Sequence, residues 1–234
     1  VGTKTIVHAA IEMVDIAGLV AGASKGEGLG NKFLANVREV EAIIHVVRCF
    51  EDDDVIHNMG RVDPISDAEV IMTELILADV ESASGQLQKN EKKARGQDKD
   101  AAANVALLKR LLPHLNDGIP ANLLKMDEDE RIRLKSFCLL SSKPMLYACN
   151  LKEDEIASPS SNSYFESFRK WAEVQQDAKC CPISAKMEEE LSEISEVEAK
   201  EYLEAVGVRD SGVASLIRGS YDLLGLASYL TAGE

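Results

Sequence analysis

The sequence predicts an α/β protein, a mostly parallel sheet with helices on both faces, interrupted by an inserted antiparallel α-helical hairpin. Three observations carry that expectation. Short β-branched runs alternate with amphipathic helical runs toward both ends of the chain. Between them lie two heptad-like apolar stripes joined by a polar turn. Polar motifs follow three of the predicted strands, at the carboxyl ends where parallel sheets bind ligands.

In chain order, residues 4–15 are β-rich and lead into a glycine-rich run from Asp15 to Lys32. Residues 31–41 read as a helix capped by Asn31. Ile43 to Phe50 reads as a buried strand, closed by the acidic turn Glu51 to Asp54. The pattern then changes. Ile76, Val80, Ala83, Leu87 and Ala94 recur at helical spacing, with Asn90 interrupting the seam. After the polar turn Gly96 to Lys99, Ala101, Val105, Leu108, Leu112 and Leu115 form a second stripe. The two predict a helical hairpin whose first arm, about 69–95, is ~40 Å long at ~1.5 Å per residue. Pro113 and Asn116 to Gly118 are expected to end the second arm, and Asp127 to cap a helix reaching Leu140. Alternation resumes with a strand at 144–149, a helix from Tyr164 to Gln176, a strand at 180–183, an acidic helix over 187–205 and a last helix from Val213 to Leu226. The expected organisation is a sheet domain in two parts, 1–66 and 143–226, with the hairpin at 67–142 inserted between them. Residues 227–234 begin a connection onward.

The 234 residues, 45% of them hydrophobic, can bury one sizeable core. A net charge of −14 argues against coating nucleic acid by bulk charge. It leaves room for a local patch: Lys89, Lys92, Lys93, Arg95 and Lys99 cluster at the hairpin tip, where they can touch RNA phosphates or stand as a solvated tip. The acidic run from Glu188 to Glu201 reads as a solvated helix face. Five cysteines fit neither a disulfide framework nor zinc spacing, so buried thiols in a reducing compartment are expected. No apolar stretch reaches the ~20 residues that span a bilayer. The start, Val1-Gly-Thr-Lys, lacks an initiator Met.

The three motifs share one chemistry. In Asp15-x-x-Gly18, an aspartate at a strand end can hold Mg2+ through water, and the glycine N–H can meet a terminal phosphate. In Asn150-Leu-Lys-Glu153, the Asn150 amide can pair with a purine edge, and Leu151 and the Lys152 stem can pack on the ring. In Ser184-Ala-Lys186, a hydroxyl and the Ala185 N–H can face the same base. Taken singly, Asn150 also reads as a turn residue and Ser184 as a helix N-cap. Glycines 22, 26, 28 and 30 match neither Gly-x-Gly-x-x-Gly nor Gly-x-x-x-x-Gly-Lys-Ser/Thr, and read better as a switch loop that rearranges.

The segment from Asp15 to Asn36, DIAGLVAGASKGEGLGNKFLAN, closely resembles the switch-II segment of the YchF, or Obg-like, ATPases. The resemblance continues through His45-Val-Val-Arg-Cys-Phe-Glu51, Lys92-Lys-Ala-Arg95, Gly96-Gln-Asp-Lys-Asp100 and Tyr229-Leu-Thr-Ala-Gly-Glu234, covering nearly the whole chain. It implies a P-loop NTPase-type fold and a cytoplasmic ATPase of the translation-factor class, with a helical hairpin inserted in its nucleotide-binding domain and a TGS domain after it. It further implies ATP with Mg2+ as ligand and the ribosome or its RNA as partner through the hairpin tip. Asp15 then holds the metal and, with Gly18, senses the γ-phosphate; Asn150, Leu151, Glu153, Ser184, Ala185 and Lys186 form the base site.

Two departures from the wider GTPase pattern matter. Typical GTPases carry Asn-Lys-x-Asp, whose aspartate accepts from guanine; here Leu151 and Glu153 stand at the Lys and Asp positions, which suits a preference for ATP. Leu19 stands where many relatives of the wider class place a water-orienting Gln, so hydrolysis is expected to be slow; His8, Lys25 and Asn31 are conceivable helpers. Family members carry their phosphate-binding loop upstream of Val1 and their TGS domain downstream of Glu234. The chain is therefore expected to be part of a longer protein and to bind ATP poorly alone. The alternative is a non-catalytic binding module that keeps the fold and hairpin.

Overall fold

A computed structural model describes residues 10–16, 29–55 and 60–227. Its elements run α1 (Leu29–Glu39), β1 (Ile43–Arg48), α2 (Pro64–Ala94), α3 (Lys99–Asn116), α4 (Glu128–Ser136), β2 (Met145–Asn150), α5 (Ser163–Gln175), β3 (Lys179–Ile183), α6 (Ala185–Ser192), α7 (Glu196–Val206) and α8 (Gly212–Leu223).

The described strands form one parallel sheet in the order β1-β2-β3. Its register sets Arg48 opposite Asn150, and Asn150 opposite Ile183. Strand β2 is paired on both edges and buried from Met145 through Cys149, as an apolar run in a parallel sheet should be. Strand β1 departs from the expected buried strand: Val47 is buried, but Val46 is 63% exposed. Among the described residues no strand pairs with its other edge. Residues 10–16 likewise carry no strand, although the sequence predicts one ending there; a β-rich segment without a ladder partner gains no strand hydrogen bonds. Residues 1–9 of that segment lie outside the described residues.

Helix α2 starts at Pro64, before the expected 69, because Asp63 supplies a cap and Pro64 needs no N–H in the first turn. It packs antiparallel on α3, with Glu91 paired to Lys109 at 3.0 Å. The interruption at Asn90 has a partner: its side-chain oxygen accepts from Asn104 at 3.0 Å, and Asn104 accepts from Arg133 of α4 at 2.9 Å. A polar layer of this kind fixes the register of two helices at some cost in stability. Helix α3 buries Leu107 and Leu111 beside the expected Ala101, Leu108 and Leu115, because Leu134, Leu139 and Leu140 belong to the same core. Pro113 does not end it. The proline removes one N–H within the last turn, and the helix stops at Asn116, before Gly118 with φ of +76°.

Several further boundaries move for identifiable reasons. Asn31 lies inside α1, which begins at Leu29, rather than capping it. Helix α4 has the expected Asp127 cap, reciprocated by Glu130, but ends at Ser136 instead of reaching Leu140. Cys138 adopts a left-handed conformation with φ of 51°, breaking the helix as Leu139 and Leu140 enter the core. The single acidic helix expected over 187–205 is two, because Ser195 and Glu198 form a capping box that starts α7 afresh. Cys49, Cys149 and Cys181 are buried thiols as expected and Cys180 is partly so, whereas Cys138 is exposed.

The segment Leu139–Lys143 ties the hairpin to the sheet. Asp79 of α2, 1% exposed, accepts from the Leu140 and Ser141 backbone N–H groups at 2.7 Å each and from the Ser141 hydroxyl at 2.6 Å. Burial pushes the Asp79 carboxyl up, against the pull of these three donors and of nearby Arg38. Lys143 donates to the Arg38 carbonyl at 3.1 Å and to that of Val40, at the carboxyl end of α1.

Two core groups yield predictions. Tyr147 stacks edge-on against Phe168 with centroids 5.0 Å apart, but its buried hydroxyl has no partner. Tyr147→Phe should raise the unfolding free energy by about 1 kcal/mol in urea titrations, since it deletes only an unpaired polar atom. His45, packed on Tyr147, has its pKa lowered from 6.5 to about 4 by burial. The folded state therefore keeps it neutral where the unfolded chain takes up a proton. Stability should fall by about 3 kcal/mol as pH drops through that window, and His45→Gln should flatten the dependence.

Candidate functional site

Because β2 and β3 are parallel, their carboxyl ends open on the same side of the sheet. The Leu151 N–H extends the ladder one step by donating to Ile183 at 2.8 Å, which holds the two exit loops together. Across that junction Asn150 accepts from the Ala185 N–H at 2.9 Å. Glu153 meets Lys186 at 3.1 Å through Oε2, and that hydrogen bond raises the lysine pKa. The other carboxylate oxygen, Oε1, is buried without a partner. Tyr202 of α7 stands nearby; partial burial, then the charges of Glu190 and Glu153, push its phenol up.

Asn150, Glu153, Ala185 and Lys186 thus converge from two loops. The other two base-site residues behave differently. Ser184 is 2% exposed and its hydroxyl accepts from the Met187 N–H at 3.4 Å, the N-cap arrangement. Leu151 is 2% exposed and lies in the core, so its side chain is not placed to pack on a ring; parallel-strand pairing on one side and core on the other turn it inward. Asp15 is exposed, while Ile16 beside it packs against the core. Gly18, Leu19 and glycines 22, 26 and 28 lie outside the described residues. Among the described residues no three His, Cys, Asp or Glu side chains are grouped to hold a metal ion. Lys89, Lys92, Lys93, Arg95 and Lys99 are all exposed around the hairpin turn.

Two supporting residues were not legible as such. Asn162, just ahead of the helix expected from Tyr164, caps α5 by accepting from Phe165 at 2.8 Å. Its amide donates to the Cys49 carbonyl and to Glu155, both at 2.9 Å, tying the exit of β1 to the loop after β2. An Asn directly before a helical run is an N-cap signal, but nothing local points to its second role. Arg48 folds the loop after β1 around itself, donating to the carbonyls of Phe50, Asp52 and Val55 and lying 4.8 Å from the Phe50 ring centre.

Comparison with known proteins places this arrangement. A family model described as "50S ribosome-binding GTPase" matches residues 2–76. The "Ribosome-binding ATPase YchF" of Bacillus subtilis is 45% identical over the whole chain, which covers 64% of that relative. Its namesake in Escherichia coli O157:H7 is 42% identical over 95% of the chain and 60% of its own length. A solved structure titled "Structure of the Schizosaccharomyces pombe YchF GTPase" superposes with a TM-score of 0.77 at 33% identity, covering 93% of this chain and 59% of that one. The chain belongs to the YchF family. Its fold is the α/β fold of P-loop GTPases. It spans under two thirds of the length of these YchF relatives. Within the YchF fold, Asn162 joins the exit of β1 to the loop after β2. Asn162→Ala should cost about 2 kcal/mol in chemical denaturation, by losing a cap and orphaning the Cys49 carbonyl.

Proposed function

We propose that the chain belongs to an ATP-binding, slowly hydrolysing switch protein of the cytoplasm that associates with the ribosome. The observation that carries this reading is the convergence of Asn150, Ala185, Glu153 and Lys186 beyond the carboxyl ends of β2 and β3. Asn150 and the Ala185 N–H are the base-facing pair, and Lys186 and Glu153 close its rim. Guanine offers two adjacent donors, N1–H and the N2 amino group, which a carboxylate meets with both oxygens. Here Lys186 engages one oxygen of Glu153 and the other is buried, so the carboxylate does not present both oxygens to a guanine edge, which supports ATP over GTP. The exposed Asp15 carboxylate suits a Mg2+ ion shared with nucleotide phosphates, since such ions take one or two protein carboxylates and keep several waters. In this reading Asp15 and Gly18 report the γ-phosphate, and Leu19 keeps hydrolysis slow.

The basic hairpin tip is the proposed ribosome contact, through RNA phosphates at Lys89, Lys92, Lys93, Arg95 and Lys99. The domain reading follows: 1–66 and 143–226 handle nucleotide, and 67–142 carries the partner surface. No helix among the described residues is long and apolar enough to cross a membrane.

Calorimetric titration of the full-length protein with ATP, ADP and GTP is the direct test. ATP should bind more tightly than GTP, and Asn150→Ala should weaken ATP at least tenfold. GTP binding as tight as ATP sinks the proposed preference. Ribosome binding indifferent to any nucleotide would favour the non-catalytic binding module instead.

A further inference from the structure

We propose that Asp79 and Lys143 are positioning residues that couple the helix after the glycine-rich run to the hairpin, through the segment between Leu139 and Lys143. This rests on the switch function proposed above. Helix α1 is the first described element after that run, and its Leu34 and Val37 are anchored in the core. Between α1 and α2 lies a cleft of about 510 Å³, walled by Arg38 on one side and by Ser82, Gly85 and Gln86 on the other. Both helices also enter the shared apolar core, and the polar contacts that bridge them pass through one short segment. Lys143 holds the carboxyl end of α1 by the Arg38 and Val40 carbonyls. Two residues earlier, Leu140 and Ser141 give both backbone N–H groups, and Ser141 its hydroxyl, to Asp79 of α2.

The same segment is also pinned to the chain just after the hairpin's second arm. The Ala121 N–H donates to the Ser141 hydroxyl at 3.1 Å, and the Asn122 N–H to the Ser141 carbonyl at 3.3 Å. It then runs straight into β2 at Met145. A shift of the carboxyl end of α1 must therefore pull on Lys143 and, through Ser141, on a carboxylate that is 1% exposed and has no water to turn to. Buried charge-assisted hydrogen bonds break as a set or move as a body, so the displacement passes to α2 instead of dissipating. The cleft leaves α2 room to tilt relative to α1. Helix α2 continues from Asp79 to the basic turn, so the partner surface follows that tilt.

The test measures reciprocal coupling. Affinity for purified ribosomes is determined with and without ATP, and affinity for ATP with and without ribosomes, in the full-length wild-type protein and in its Lys143→Met, Lys143→Arg and Asp79→Asn variants. Wild type should show a mutual effect of about fivefold or more. Lys143→Met and Asp79→Asn should bring the factor to within twofold of one while each separate affinity stays within twofold of wild type; Lys143→Arg, which can still reach both carbonyls, should restore it. A purely structural role predicts lower melting temperatures with the coupling factor intact, and that result overturns the inference. So does a wild type that binds both ligands without mutual effect. If Asp79→Asn fails to fold, the Lys143 pair decides alone. A wild type that binds neither ATP nor ribosomes overturns the proposed function, and the inference with it.

Discussion

Pairing of β2 on both edges is the constraint that organises this chain. A strand flanked by parallel neighbours must be apolar on both faces, and Met145 through Cys149 meet that demand. The first residue that can be polar is the one at the carboxyl end. Asn150 occupies that position, level with Arg48 on one side and Ile183 on the other. Every feature of the candidate site follows from that level: Ala185 reaches Asn150 because β3 ends in register with it, and Glu153 reaches Lys186 because both exit loops leave on the same side. At the other end of the strand, the knot at Leu140 and Ser141 sits just before Met145. The strand therefore links the segment at the hairpin's root to the loop that carries Asn150 and Glu153.

Much of this was legible because it depends on local chemistry. The polar residues at strand ends, the hairpin stripes, the Asp127 cap and the positions of β2 and β3 all announce themselves over a few neighbours. What escaped depends on distant partners. Leu151 looks like a ring platform until β3 turns it into the core. Asn90 looks like a flaw in a seam until Asn104 and Arg133 meet it. Asp79 sits in the first hairpin helix with an ordinary helical neighbourhood; its partners are 61 and 62 positions away. Pro113 shows the reverse failure, in which a strong local signal is overruled because only one hydrogen bond is at stake near a helix end.

The names of the relatives divide on the nucleotide: the bacterial proteins are called ATPases, the fission yeast structure a GTPase. The site offers a physical reason why the question is close. In the proposed reading, Asn150 and the Ala185 N–H, which bond each other in the structure, can serve either purine. Discrimination in that reading falls on Glu153, whose two oxygens are unequal: one is engaged by an exposed lysine, the other buried and unmet. An exposed ion pair contributes only about 1 kcal/mol or less, so the choice between bases rests on a narrow margin.

The polar layer at Asn90 and Asn104 has a mechanical meaning. Two helices joined only by an apolar seam can slip by a turn, and a thrust at the root would be lost as sliding. With Asn104 shared between Asn90 and Arg133, the arms of the hairpin are locked in register and behave as one beam. The distance along α2 from Asp79 to the turn at Arg95 is about 24 Å. A rotation of about 10° at the root then carries the lysines of the tip through about 4 Å, wider than a hydrogen bond is long. The beam makes a small tilt legible at its far end.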